Sequence, residues 1–418
     1  MLQNTYCWFI ETGQGDRLLW LAEELLFLLD LFKKYSYNIY EMEKEIVKTF
    51  KVKLNISPEN REKLDKTLFE YNNLLNYLSS IAWDKKITNK VKLHHLTYYP
   101  AREKFNLPAQ FVCSARDVVC DRMRAIIKRK RKSKPQFKKP FLRYDVRTIT
   151  FKEGYCSLST SFGRIKTKII PYDYLNQHKD WTLTNTPTLI KRNKDFYLCL
   201  HFKKTVVLKE PSILIGVDLG IKNISVTSDN KFFSGGYLTY KSNHFFRLRK
   251  ALQAKGTPSA KRVLKRISGR EKRFKLDYLH QKSKELVQYV SELQNPCIVF
   301  EKLQGIREQK SKGRKMNRKL STWTFRKFQE LVTYKANQIG VPVAFVDARY
   351  TSQKCSRCGN ILKSQRTGNT FKCKACGFEL NADLNGARNI RKNFTEGQAP
   401  QVGLSVNQPL SSAFVTTS

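Results

Sequence analysis

The sequence predicts a multidomain chain of α+β and α/β parts: a small β domain interrupted by helices, then an α/β domain carrying an inserted four-cysteine element. Three observations predict it. Period-two alternation at 49–56 and again over 146–206 brackets a stretch with helical spacing. Two apolar runs, 213–218 and 297–301, each end in an acid. Two Cys-x-x-Cys-Gly turns, Cys355/Cys358 and Cys373/Cys376, precede a further acid, Asp383.

In the first part, TFKVKLNI (49–56) places Phe50, Val52, Leu54 and Ile56 on one face of a half-buried strand. Ser57-Pro58-Glu59 follows as an N-cap, a first-turn proline and an acid at the positive helix end. Leu64, Leu68, Tyr71, Leu74, Leu75 and Leu78 then share one face of a helix. A second helix is expected over about 108–132, ending in KRKRK. From Arg122 to Arg143 there are eleven Lys/Arg and no acid, interleaved with Phe137 and Phe141 and followed by Tyr144. Aromatic residues among cations favour phosphate and base contact over a merely solvated face or a localisation signal. Strand patterns return as VRTITF, YCSLST, RIKTKII, TLIKR and FYLCLHF.

Charge defines the partner class. The 418 residues include 78 Lys/Arg against 35 Asp/Glu, a net charge of +43, with 41% hydrophobic residues. That composition predicts folded cores and a polyanion that relieves self-repulsion, as a nucleic acid does. A membrane is the competing polyanion, but LLWLAEELLFLLDLF (18–32) is broken by Glu23, Glu24 and Asp30 and reads as an amphipathic helix. The N-terminus lacks the basic head and cleavage site of a secretory signal, so a cytoplasmic, nucleoid-associated protein is expected.

Chemistry concentrates in the second part. In ILIGVDLGIKNISVT a buried strand ends in Asp218, with Gly220 leaving room for a backbone or phosphate. CIVFEKL repeats the construction at Glu301, and Asp383 opens the segment after the second cysteine pair. Singly, Asp218 could cap a turn and Glu301 could pair with Lys302. Together, three acids from separate segments can hold two Mg²⁺ about 3.5–4 Å apart, the arrangement that hydrolyses phosphodiesters. Asp347, ending VAFVD, reads as a structural residue at a strand exit.

Cys355, Cys358, Cys373 and Cys376 predict one structural zinc, because each turn aims two thiolates at one ion. The fourteen polar, Gly-containing residues between the pairs suit a hairpin without a core of its own. The other six cysteines are scattered singly, as buried free thiols are.

GVDLGIKNISVTSD, VFEKLQGIR, DARYTSQKCSRCG and CKACGFELNADLNGARNI resemble, in content and order, four signatures of the TnpB family. These are transposon-encoded RNA-guided nucleases related to miniature type V CRISPR effectors. The resemblance covers roughly 210–393, and 48–206 by pattern only. It implies a RuvC-like domain of RNase H fold whose Asp, Glu, Asp triad maps onto Asp218, Glu301 and Asp383, with a zinc ribbon inserted before the third acid. It also implies a wedge-like β-barrel interrupted by a helical recognition domain. The implied organisation is a helical N-terminal extension (1–47), a wedge domain (48–57 and 134–210), a recognition domain (58–133), a nuclease domain (211–350 and 378–394), a zinc ribbon (351–377) and a disordered tail (395–418). Gly386 stands where the family often has Ala, and Lys302 where an acid or Asn is frequent. The implied partners are a guide RNA and double-stranded target DNA beside a short flanking motif, with a monomer favoured.

Basic segments surround this part. Arg247–Lys275 holds twelve Lys/Arg and one acid, Glu271, in a helical pattern seamed by Leu248, Leu252, Val263 and Ile267. KSKGRKMNRKL (310–320) reads as a mobile basic loop. The helix over about 322–339, with Trp323, Phe325, Phe328, Leu331 and Ile339, reads as core, ended by Gly340 and Pro342.

Two other functions fit parts of the pattern. A transposase could use three acids, although none of the six histidines has the His-hydrophobe-His spacing of the single-stranded enzymes. A non-cleaving guided DNA-binding regulator would be expected to have lost an acid. A small CRISPR effector has the same chemistry as a transposon protein and differs in its genomic neighbours.

Overall fold

A computed structural model of the chain describes residues 43–129, 133–152, 154–170, 178, 180–184, 186–303 and 325–396. The expected helical extension up to residue 42, cations 130–132, the 310–320 loop, Trp323 and the tail from 397 lie outside the described residues. Contacts divide the chain into two compact units, centred on Val47–Lys204 and Thr205–Gln408.

The first unit is built on β1 (Glu43–Asn55), whose Ile46, Phe50, Val52 and Leu54 face inward between exposed neighbours. Residues 43–47 are therefore strand and not helical extension, because Ile46 already continues the buried face. Helix α1 (Pro58–Asp84) starts as its sequence dictates, with the Ser57 side chain accepting from Asn60 N. Its predicted apolar stripe, Leu64 to Leu78, is buried. Helix α2 (Lys90–Lys104), capped by Asn89, was not legible in the apolar pattern, since it buries only Leu93, Thr97 and Ala101. Helix α3 spans Ala109–Lys128.

Strands β2 (Phe141–Arg143), β3 (Ile149–Lys152), β4 (Tyr155–Thr160), β5 (Gly163–Ile169), β6 (Thr182–Leu183), β7 (Thr188–Arg192) and β8 (Asp195–Val207) join β1. The order is β2-β7-β8-β1-β5-β4-β3, with β6 on β8. The expected barrel is thus an open half-barrel among the described residues, with β2 and β3 at its two ends. Nor do the helices form a separate core. Leu68, Leu75 and Phe111 pack in one cluster with Leu142, Leu158 and Leu198 from the strands. Once the sheet supplies the apolar wall, the helices have no need of one among themselves.

The second unit centres on a mixed sheet of order β11-β10-β9-β12-β13. Strands β9 (Ile213–Asp218), β10 (Asn223–Thr227) and β11 (Phe232–Ser234) form an antiparallel meander. Strands β12 (Pro296–Glu301) and β13 (Val343–Val346) add in parallel beside β9. Strand β12 is buried from Pro296 through Phe300, as expected of a parallel strand covered on both faces.

Helix α4 (Gly236–Lys255) and helix α5 (Pro258–Ser291) replace the single helix expected over 247–275. Gly256 at φ 64 ends the first, and Thr257 with Pro258 starts the second. Leu248 is 37% exposed, so the expected seam does not extend to α4. Buried Glu271 instead clamps the pair, accepting from Arg249 and from Lys275 at 2.7 Å.

Helix α5 and helix α6 (Phe325–Gln338) cover the Ile298/Phe300 face of the sheet. Ile339 lies just past the end of α6 and is 48% exposed, against its assignment to the core. Gly340, at φ 77, closes that end as expected. Helix α7 (Ala382–Thr395) covers the opposite face, where Cys297 and Val299 pack with Ile390. It lies so close that a Cβ at Gly216 would stand 2.2 Å from the Ala387 carbonyl oxygen and 2.7 Å from Arg391 N. Gly216→Ala is accordingly expected to destabilise this unit by at least about 2 kcal/mol, read as a lower midpoint in thermal or denaturant unfolding.

Candidate metal and catalytic centre

Strand register brings the first two acids together. Phe300 lies opposite Val217 in the parallel β9–β12 pair, so one further residue on each strand puts Glu301 beside Asp218 at the same sheet end. Side-chain alternation sends both toward α7, since Gly216 faces that helix on β9 and Val299 does so on β12. The third acid comes from α7 itself. Asn381 caps the helix by accepting from Asp383 N at 3.0 Å and Leu384 N at 3.2 Å, which fixes Asp383 in the first turn.

Three side chains that sequence reasoning passed over also meet here. Asn223 Nδ2 donates to Asp383 Oδ2 at 3.4 Å, and Arg366 Nη2 donates to Asp383 Oδ1 at 3.1 Å. The Thr351 hydroxyl donates to Glu301. Arg366 could not be found by spacing, because only the fold of the cysteine hairpin directs it toward the acids. Glycine opens the space between these groups. A Cβ at Gly386 would be 3.0 Å from Asp218 Oδ2, and one at Gly220 would be 2.9 Å from Asn223 O and 3.5 Å from Asp383 Oδ2. The room expected at Gly220 is thus taken by the chain's own backbone and third acid. Asp347 accepts from Arg349 N at 3.0 Å, as a residue shaping the strand exit does.

Crowding raises the cost of ionisation. Desolvation, then the neighbouring Glu301 and Asp383, holds the Asp218 carboxyl well above its usual range, opposed by Arg366. Desolvation also raises Glu301, against the Thr351 hydroxyl and Arg366. An all-oxygen donor set that resists ionising together suits a hard divalent cation, which supplies the missing positive charge.

Both groups bind protons more tightly in the folded chain. Their contribution to stability is therefore full below the ordinary carboxylate range near pH 4, and is lost as pH rises toward the raised folded values. In Mg²⁺-free buffer the thermal midpoint should fall as pH rises above the ordinary carboxylate range, and Asp218→Asn should flatten that fall. Added Mg²⁺ should stabilise more at the higher pH, because fewer protons have to be displaced.

The cysteine element adjoins the acids. Strands β14 (Arg366–Thr367) and β15 (Thr370–Lys372) form the hairpin between the cysteine pairs, and β16 (Glu379–Asn381) extends its sheet directly into α7. The element thus runs on to Asn381, past the boundary expected at 377. Its small core contains Phe371 with Cys355, Cys373 and Ala382. Gly359 and Gly377 have φ of 79° and 68°, closing each Cys-x-x-Cys turn as expected.

All four sulfurs lie within 4.8 Å of one another, the only such ligand group among the described residues. Cys355–Cys376 and Cys358–Cys373 are 3.8 and 3.6 Å apart. Those distances exclude disulfides and match the roughly 3.8 Å edge of a tetrahedron with 2.3 Å metal–sulfur bonds. Burial opposes ionisation of Cys373, yet the Cys376 and Ala375 N–H groups and the Cys358 thiol pull it down to about 6. Cys376 receives the Phe378 N–H, but burial and the facing sulfurs push it up to about 12. Four thiolates would need a cation to coexist, and the spacing fits zinc.

Residues 325–390 match the family model described as "Cas12f1-like, TNB domain". A TnpB-like protein of Aquifex aeolicus (strain VF5) is 32% identical over 229 residues, covering 48% of this chain and 74% of that one. The chain belongs to the TnpB family. This TnpB-family chain is also 51% identical over 75 residues to a CRISPR-associated endodeoxyribonuclease Cas12f1 of Sulfoacidibacillus thermotolerans, covering 18% of each. Its fold is similar to the protein in a cryo-EM structure of a Cas12f1-sgRNA-target DNA complex. The TM-score is 0.58 at 15% identity, over 83% of this chain and 99% of that one. Among the described residues, no helix of the TnpB-family chain is long and apolar enough to cross a membrane.

Proposed function

We propose that the chain is an RNA-guided DNA endonuclease, and that Asp218, Glu301 and Asp383 are the residues that hold its catalytic Mg²⁺. The observation that carries this is the delivery of acids from three elements to one sheet end: strand register sets Glu301 beside Asp218, α7 brings Asp383 to the same end, and Asp218 and Glu301 are held above their usual pKa, although the three carboxylates are not gathered as closely as the four sulfurs. The strand order, three antiparallel strands followed by two parallel additions, supports a RuvC-like domain of RNase H fold. Kinship to endodeoxyribonucleases and the fold shared with an sgRNA- and DNA-bound effector support a guide RNA and DNA as partners.

Mg²⁺ bound by the three carboxylates would activate water and stabilise the leaving oxygen of a phosphodiester. The chain's own residues prepare for this. Thr351 orients Glu301, the Asn381 cap orients Asp383, and Arg366 holds positive charge against the acids until metal or a scissile phosphate engages them. The four cysteines would hold one Zn²⁺ that shapes the hairpin presenting Arg366. Base pairing with the guide would read sequence, and the protein's net charge of +43 would neutralise backbone phosphates.

The test is to purify the chain from cells carrying its native locus and to sequence the RNA that accompanies it. One abundant species with a constant scaffold and a variable end is expected. The complex should cut DNA matching that variable end and leave unmatched DNA intact. Strand joining instead of cutting, or no RNA at all, would overturn the reading.

A further inference from the structure

Between the cysteine element and the carboxylates runs a buried polar relay that the proposed chemistry does not use directly. Asn385 and Asn389, one turn apart on α7, have no measurable surface. Asn385 accepts from Ser356 N at 2.9 Å and donates to Lys354 O at 2.9 Å. Asn389 donates to Thr351 O at 2.8 Å and again to Lys354 O at 2.6 Å. Lys392, one position short of the next turn, donates to Ser356 O at 2.6 Å. The segment 351–356 is thereby clipped along α7. It carries Cys355 at one end and Thr351, the hydroxyl donor to Glu301, at the other.

Helix α7 closes the circuit. Gly386, next to Asn385, is the residue against which Asp218 rests, and Asp383 sits one turn earlier. A shift of segment 351–356 along α7 would therefore move the donor to Glu301 relative to the other two acids. Backbone carbonyls held by buried amides have no solvent to replace a lost donor, so such a shift carries the full cost of unpaired groups.

We infer that Asn385, Asn389 and Thr351 are positioning residues that couple the cysteine knuckle to the carboxylates, setting how tightly those carboxylates bind a divalent cation. This rests on the reading of Asp218, Glu301 and Asp383 as metal ligands. Asn389 is the decisive member. Both hydrogens of its amide are used, while its Oδ1 is buried with no partner among the described residues. Asn389→Asp keeps the shape, deletes both donors and aims a charge at two carbonyls. Asn385→Asp keeps the acceptor for Ser356 N and should be milder.

The experiment uses the full chain, freed of nucleic acid at high salt, and measures Mn²⁺ affinity by electron paramagnetic resonance. Asp218→Asn serves as the blank for nonspecific binding, and bound zinc is counted for every variant. Thr351→Val and Asn389→Asp are expected to weaken the Asp218-dependent Mn²⁺ site about tenfold, with one zinc per chain retained. Thr351→Ser, which restores the hydroxyl, should regain most of the affinity. In the guide-loaded complex, the Mg²⁺ needed for half-maximal cleavage should rise while the rate recovers at saturating Mg²⁺. Unchanged Mn²⁺ affinity in Thr351→Val overturns the inference while leaving the carboxylate reading intact. If Asn389→Asp loses zinc or unfolds, Asn385→Asp takes its place beside Thr351→Val, and unchanged Mn²⁺ affinity in either folded, zinc-bearing variant overturns the inference. A parent chain that binds Mn²⁺ no better than Asp218→Asn would overturn the carboxylate reading itself.

Discussion

Asp218→Asn should lower guide-dependent DNA cleavage by at least about 10³-fold, which is ~4 kcal/mol of barrier. The substitution is nearly isosteric and removes one charge from a site where like charges already repel, so folding should be unharmed. The acids occupy one end of a sheet buried on both faces, and the change does not alter the basic surface expected to carry RNA. Affinity for the co-purified RNA should therefore stay within about twofold, measured by filter binding at one fixed salt concentration. Cleavage that survives the substitution would remove Asp218 from the metal site. Loss of RNA binding together with cleavage would show that the effect is on folding.

Cys358→Ser should strip the metal from the cysteine site and reduce cleavage by about 10- to 100-fold or more. Beyond the metal, the hairpin has little to hold it, since Phe371 is the one aromatic ring buried in its small core. Once it loosens, Arg366 no longer stands 3.1 Å from Asp383 Oδ1, and β16 no longer leads rigidly into the Asn381 cap. Metal analysis should find one zinc per parent chain and none in the variant. Limited proteolysis should open new cuts between 359 and 372. Cys297→Ser is the control, because that buried thiol lies outside the cluster and its loss should leave zinc in place. Full cleavage by a zinc-free variant would separate the knuckle from the chemistry.

Local chemistry was enough for much of this. The Cys-x-x-Cys-Gly turns predicted their positive-φ glycines, the Ser57-Pro58-Glu59 cap predicted the start of α1, and the apolar runs predicted β9 and β12 with acids at their ends. Each of those signals is carried by neighbours in the chain. Helix α2 leaves no apolar periodicity to read because its buried face is a single file of three residues, Leu93, Thr97 and Ala101, and Ile339 stands outside the core because Gly340 ends the helix before its side chain can reach it.

What the chain by itself determined is which residues can do chemistry: three acids, four thiols and an excess of cations. Only the tertiary structure decided what stands among them. The parallel register puts Glu301 beside Asp218, Gly216 lets α7 approach and deliver Asp383, and the folded hairpin turns Arg366 back onto that acid. These are contacts between residues far apart in sequence, whose energies depend on burial and close approach. No periodicity or spacing encodes them.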